Sequence, residues 1–184
     1  NPSKVAMAGK IQPNGSYLKG IEDFIPSSQY NCDKHHLKVV EDIKENWVTL
    51  SLNSKFHALL ATESIPEAIA YYRLLRKEMP TLKVTALFDP NIDNTGGQTF
   101  KEEGLIEVLE GYKEQFGKTY TMSTHAAFKQ DVALRLAHKK PYNGKDFTKD
   151  KQIDLLIVVN QMLTGFDSKW INTLYVDKVM EYEN

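Results

Sequence analysis

Apolar residues recur along this chain in two rhythms, and the switch between them lays out its elements. From His36 the stretch LKVVEDIKENW sets Leu37, Val40, Ile43 and Trp47 three or four residues apart with charges between them, the spacing of an amphipathic helix. After the polar break at 51–54, FHALLAT is a short unbroken apolar run and predicts a strand. Residues 63–76 then turn helical, with Ile65, Ile69, Tyr72 and Leu75 on one side. Thr62 or Ser64 can cap that helix, and Pro66 suits a first turn, where a missing amide hydrogen costs nothing. The unit repeats. LKVTALF, at 82–88, predicts a second buried strand, followed by the loop DPNIDNTGGQ and a helix near 100–116 whose limits Gly104 and Gly111 blur. A further helix is expected over about 126–138, with Phe128, Val132, Leu134 and Leu136 as its apolar members and Ser123 or Thr124 as caps. Two last runs, LLIVV at 155–159 and INTLYVD at 171–177, read as strands apolar on both faces. Such strands separated by helices predict an α/β fold, a parallel sheet of at least four strands with helices on both faces. Residues 1–34, with Pro13, Asn14, Gly15 and Pro26 and little periodicity, predict an extended arm or linker with little core, leaving 35–184 as the domain proper.

Composition narrows the class. At 184 residues with 41% hydrophobic and 26% charged content, one globular domain is the default. No apolar run approaches the roughly 18 residues of a membrane span, so no membrane partner is expected. The start, NPSKVAMAGK, has no initiator Met and no signal-peptide layout, and the end, DKVMEYEN, has no terminating pattern; both are read as cuts in a longer chain. The single cysteine, Cys32, cannot form an internal disulfide, which fits a reducing compartment such as the cytoplasm and reads as an incidental thiol. Formal charge is −1 with lysines spread along the chain, so any contact with nucleic acid must come from a few placed groups.

In an open parallel sheet, ligands gather beyond the carboxyl ends of the strands, where loops and helix starts present unpaired amides. Three such ends carry suggestive residues: Ala61-Thr62-Glu63-Ser64 after FHALL, Asp89-Pro90-Asn91 after TALF, and the corner 160–167 after LLIVV. Each also has a plain structural reading as cap, turn or bend. Phosphate-loop, dinucleotide, zinc-protease, nucleophile-elbow and paired-cysteine motifs are absent. No two of the five histidines stand at i, i+4 spacing, so no metal site is expected. Asp146, Asp150 and Asp154 lie in a lysine-rich stretch and read as solvated charge. The chain holds no complete catalytic site of its own.

Taken in order and spacing, SLNSKFHALLATESIPEAIAYYRLLRK, LKVTALFDPNID, FKQDVALRLAHKKPY and DLLIVVNQMLTGFDSKWINTLYVDKVMEYEN closely resemble one known domain. It is the second RecA-like motor domain, of the P-loop NTPase type, in the restriction (R) subunit of type I restriction-modification enzymes. The resemblance runs from about residue 36 to 184. It makes FHALLATESIPEAIAYY similar to motif IV of superfamily-two helicases and the corner after LLIVV similar to motif V, with the chain stopping before motif VI. It implies that Gly165 and Asp167 face an ATP cleft, the glycine through a tight turn and the carboxylate toward the ribose or the DNA groove. Thr62, with Ser64 as a weaker candidate, and Thr164 would hold the DNA backbone or the partner domain. Asn160 departs from the Asp that many relatives carry, which removes a charge. ATP and Mg2+ are implied as cofactors, bound mainly by a first motor domain outside this chain. The implied partners are double-stranded DNA and the modification and specificity subunits, and the parent would be an ATP-dependent type I site-specific deoxyribonuclease. Two other readings stay open: a non-catalytic Rossmann-like docking module, and a motor domain of another superfamily-two DNA helicase.

Overall fold

A computed structural model describes residues 9–26, 29, 31–91, 96–144, 147–159 and 168–178. The chain divides into two compact units, Asn1–Val39 and Val40–Asn184. In the first, strands β1 (Lys10–Ile11) and β2 (Tyr17–Leu18) form a short antiparallel hairpin, its turn including Gly15 at φ 80°. Ile11, Tyr17, Leu18 and Phe24 are exposed. Helix α1 (Asp33–Leu50) runs across the division, and in the second unit it buries Val40, Ile43 and Trp47, three of the four residues its spacing selects.

The second unit is built on a four-stranded parallel sheet in the order β4-β5-β3-β6, flanked by helices. Its elements follow the chain as β3 (His57–Thr62), α2 (Ile65–Glu78), β4 (Val84–Leu87), α3 (Gln98–Phe116), α4 (His125–Leu136), β5 (Leu155–Val159) and β6 (Ile171–Asp177). This is the α/β, RecA-like arrangement that the sequence predicts. Every residue of β3, β4 and β5 is buried. Each large aliphatic side chain removed from water there contributes roughly 1.5–3 kcal/mol, which is why these runs are apolar on both faces. Strand β6 departs from that expectation. It is an edge strand, and Asn172, Leu174 and Val176 alternate outward into solvent while the residues between them turn inward.

Local chemistry sets the element limits. Ser64 is the N-cap of α2: its hydroxyl accepts from the Glu67 amide at 3.3 Å, while the Glu67 carboxylate accepts from the Ser64 amide at 3.0 Å, completing a capping box. Helix α3 is continuous through Gly104 and Gly111 because both lie where it closes on α2. A Cβ on Gly104 would stand 2.2 Å from Ile69 Cδ1, and one on Gly111 would stand 1.9 Å from the Tyr72 hydroxyl. Arg73 to Glu107 and Arg76 to Glu114 span the same pair of helices at its exposed margin.

Helix α4 buries Phe128, Val132 and Leu136 as expected, but Asp131 and Arg135 are buried too, and Leu134 is only half-buried. Asp131 accepts from Tyr112 (2.6 Å), Lys118 (2.6 Å), Arg135 (3.1 Å) and Tyr142. Burial alone would raise its carboxyl, but these four donors reverse that and hold it below the ordinary carboxylate value. Asp154 corrects another expectation. It is not solvated: it is 8% exposed at the entry to β5, accepts from the Lys83 amide at 2.9 Å, and has its carboxyl raised by burial. Asp150 is exposed, and Asp146 lies outside the described residues.

Candidate functional site

Parallel pairing brings three strand ends level at the carboxyl edge of the sheet, since Thr62 is in register with Val159 on one side and with Asp177 on the other. The edge of β3 therefore borders the point at which β5 enters the corner 160–167. Gly165, Asp167 and Thr164, together with Asn160, lie outside the described residues, so their positions bear neither way on the roles that the resemblance implies.

The two remaining site residues are well placed in sequence and internally engaged in space. Thr62 is fully buried, and its hydroxyl points back into the chain, 3.3 Å from the Ser64 carbonyl and 3.4 Å from that of Val158. Ser64, 7% exposed, takes up the capping role that the sequence also allowed. One Glu67 carboxylate oxygen accepts from both the Glu63 amide (3.1 Å) and the Ser64 amide (3.0 Å), so a side chain of the protein itself fills the anion position at this helix start. Burial, the largest influence, raises the Glu67 carboxyl, and the negative charges of Glu63 and Asp177 act in the same direction against its bonds to Ser64. Asp177 in turn accepts from the Tyr71 hydroxyl. At the end of β4, Asp89 accepts from the amide and side chain of Asn91 at 3.0 and 3.1 Å, the turn reading of Asp89-Pro90-Asn91.

The described carboxyl edge thus offers carboxylates and already engaged hydroxyls. Among the described residues no group of three or more His, Cys, Asp or Glu side chains gathers to hold a metal ion. Nor is any described helix long and apolar enough to cross a membrane.

The opposite, amino edge carries a cluster that sequence reasoning missed. His57 opens β3, its amide donating to the Trp170 carbonyl at 2.8 Å. The His57 Nδ1 lies 2.5 Å from the Ile153 carbonyl and its Nε2 lies 2.9 Å from Nε2 of His138. A carbonyl only accepts, so His57 carries its proton on Nδ1, and His138 must donate from Nε2. The His138 ring stacks on Trp170 at 4.2 Å and 11°, and meets Phe147 edge-on at 4.9 Å. Burial pushes the His57 imidazole down to about 4, with the His138 charge acting the same way and the Ile153 carbonyl opposing, and burial and Lys169 lower His138. With 81 residues between the two rings, no local spacing could signal the pair.

Comparison with known proteins places this sheet. The family described as type I restriction enzyme subunit R domain 3 matches residues 54–184, from just ahead of β3 to the last residue. The chain belongs to that family. Relatives carry the same identity: the type I restriction enzyme SauMRSORF196P endonuclease subunit of Staphylococcus aureus (strain MRSA252) is 32% identical over 161 residues, covering 83% of this chain. The SsaAORF53P endonuclease subunit of Staphylococcus saprophyticus is 33% identical over 156 residues, covering 79% of this chain. This R-subunit domain spans about 16% of the length of each of these relatives.

Proposed function

We propose that this domain is the second RecA-like lobe of an ATP-driven DNA translocase within a type I restriction endonuclease subunit. The match of residues 54–184 to domain 3 of the R subunit carries the reading, and the four-stranded parallel sheet supports it. The relatives are named endonuclease subunits of type I restriction enzymes. On that basis the parent is an ATP-dependent type I site-specific deoxyribonuclease, working in the cytoplasm on double-stranded DNA with modification and specificity subunits.

In such a motor, phosphoryl transfer depends on positioning and on charge stabilisation from two facing lobes. ATP and Mg2+ are assigned mainly to the first motor domain, and this lobe adds Gly165 and Asp167 at the cleft. Ser64, through its amide, and Thr164 are assigned to the DNA track, with Thr62, whose hydroxyl is engaged inside the fold, supporting the turn behind them. At the start of α2 a DNA phosphate would take the place of the Glu67 carboxylate on the Glu63 and Ser64 amides, a contact made and broken as the lobes close and open. A near-neutral lobe suits that cycle, because a translocase must release phosphates as readily as it grips them.

Half a cleft has no turnover of its own. The purified 184-residue chain is expected to hydrolyse no ATP with or without duplex DNA. Sustained hydrolysis by the chain alone would overturn the reading.

A further inference from the structure

A pocket of about 400 Å3 opens at the amino edge of the sheet, lined in part by His138, Tyr142, Asn143, Phe147, Lys169 and Trp170. That edge lies one strand length, roughly 17 Å at 3.3 Å per residue, from the carboxyl edge where the motor reading places ATP and DNA. The pocket is therefore a separate site. Its volume falls in the usual range for small-molecule sites, and its wall combines aromatic rings with polar groups.

The wall is built with unusual constraint. His138 follows α4 at the position where a helix end favours glycine. Its φ is 49°, its amide bonds the Arg135 carbonyl at 3.2 Å, and the next amide, of Lys139, reaches back to the Leu134 carbonyl at 3.0 Å. A histidine kept in this left-handed position has its ring fixed twice over, by the stack on Trp170 and by the bond to His57. Strained backbone that its surroundings hold firmly in place is concentrated at binding sites. With Nε2 donating to His57, the ring keeps Nδ1 as an acceptor for an incoming N–H.

Charge selects among ligands. Lys169 lies 5.5 Å from the Trp170 ring centre, and exposed Lys139 and Lys140 follow His138 in the chain. Among the described residues, those lining the pocket include no acidic side chain. Aromatic faces, an imidazole acceptor, the Asn143 amide and a cationic rim together suit a heteroaromatic base that carries a phosphate.

We propose that this pocket binds a nucleotide, with the base against the rings of Phe147 and Trp170 and the phosphate toward Lys169. The ligand is either a free mononucleotide or one unstacked residue of a single strand. The proposal stands independently of the motor reading.

Trp47 and Trp170 are the chain's two tryptophans, and their indole N–H signals report the core and the pocket separately in a nitrogen-15 NMR spectrum. A Trp47→Phe variant assigns them. Titration with deoxyadenosine monophosphate, without Mg2+, is expected to move the Trp170 signal saturably and leave that of Trp47 in place. Deoxyadenosine is expected to bind more weakly than the monophosphate, and Lys169→Ala, at an exposed side chain, to weaken the monophosphate by about tenfold while the spectrum stays dispersed. A pentadeoxyadenylate binding well above the monophosphate marks a strand as the source, and equal binding marks a free nucleotide. No saturable movement of Trp170 with either probe overturns the proposal. So does an equal response in Lys169→Ala, or an equal response to ribose 5-phosphate, which carries no base.

Discussion

Nε2 of His57 lies 2.9 Å from Nε2 of His138, and a single proton sits between two imidazoles 81 residues apart in the chain. The bond requires an unprotonated Nε2 on His57, and burial keeps that ring neutral by taking its imidazole from 6.5 down to about 4. A lowered histidine favours the deprotonated fold, so between those values the unfolded chain binds more protons. The stabilisation is complete above pH 6.5 and is lost as pH falls toward 4, by about 3 kcal/mol in all. His138, also lowered, acts with the same sign, while the raised carboxyls of Glu67 and Asp154 act against it. Urea unfolding of the wild type and of His57→Asn, compared from pH 7 to pH 4.5, isolates the term. The variant is expected to show the flatter profile, and parallel profiles would count against a neutral pair.

Asp131 joins α3, α4 and the loop at Tyr142 through four donors, and Arg135, 3% exposed, has its guanidinium 4.2 Å from the Tyr142 ring centre and 4.4 Å from that of Phe116. Asp131→Asn keeps the size and removes the charge, leaving a buried guanidinium with no carboxylate beside it. The expected loss of stability is about 3–5 kcal/mol, against about 1 kcal/mol for Tyr142→Phe, which removes one donor only. Equal losses in denaturant titrations would mean that the charge pairing contributes little.

Gly111 faces the Tyr72 hydroxyl across the α2–α3 contact, 1.9 Å from where a Cβ would stand, and Tyr72 is only 3% exposed. The phenol is rigid, so the helices must shift to admit a methyl group. Gly111→Ala is expected to lower stability by about 1–3 kcal/mol despite the better helix propensity of alanine. In a Tyr72→Phe background the nearest ring atom is Cζ at 3.2 Å, and most of that loss should disappear in thermal unfolding. An undiminished loss would place the strain elsewhere.

Hydrophobic rhythm made much of the fold legible. LLIVV and INTLYVD coincide with β5 and β6, and the helices at α2, α3 and α4 begin and end within about two residues of their expected limits, the usual uncertainty of helix ends. Rhythm could not show which strand face goes uncovered, because Leu174 and Val176 look like core residues until the fold leaves that face of β6 in solvent. Nor could it reveal Asp131, Arg135 or Asp154, whose burial depends on hydrogen-bond partners distant in sequence. The same holds for His57 and His138. Ser64 was readable as a cap because its partner Glu67 is three residues away, within the reach of local spacing.

The most direct test uses the full-length R subunit assembled with modification and specificity subunits, comparing wild type with Asp167→Ala. A carboxylate at the cleft between two lobes acts on turnover and not on folding. DNA-stimulated ATP hydrolysis is expected to fall at least about a hundredfold, a loss of roughly 2.7 kcal/mol of transition-state stabilisation, with thermal unfolding unchanged. Wild-type rates of DNA-stimulated hydrolysis in the folded variant would contradict the assignment of this lobe's rim to the motor.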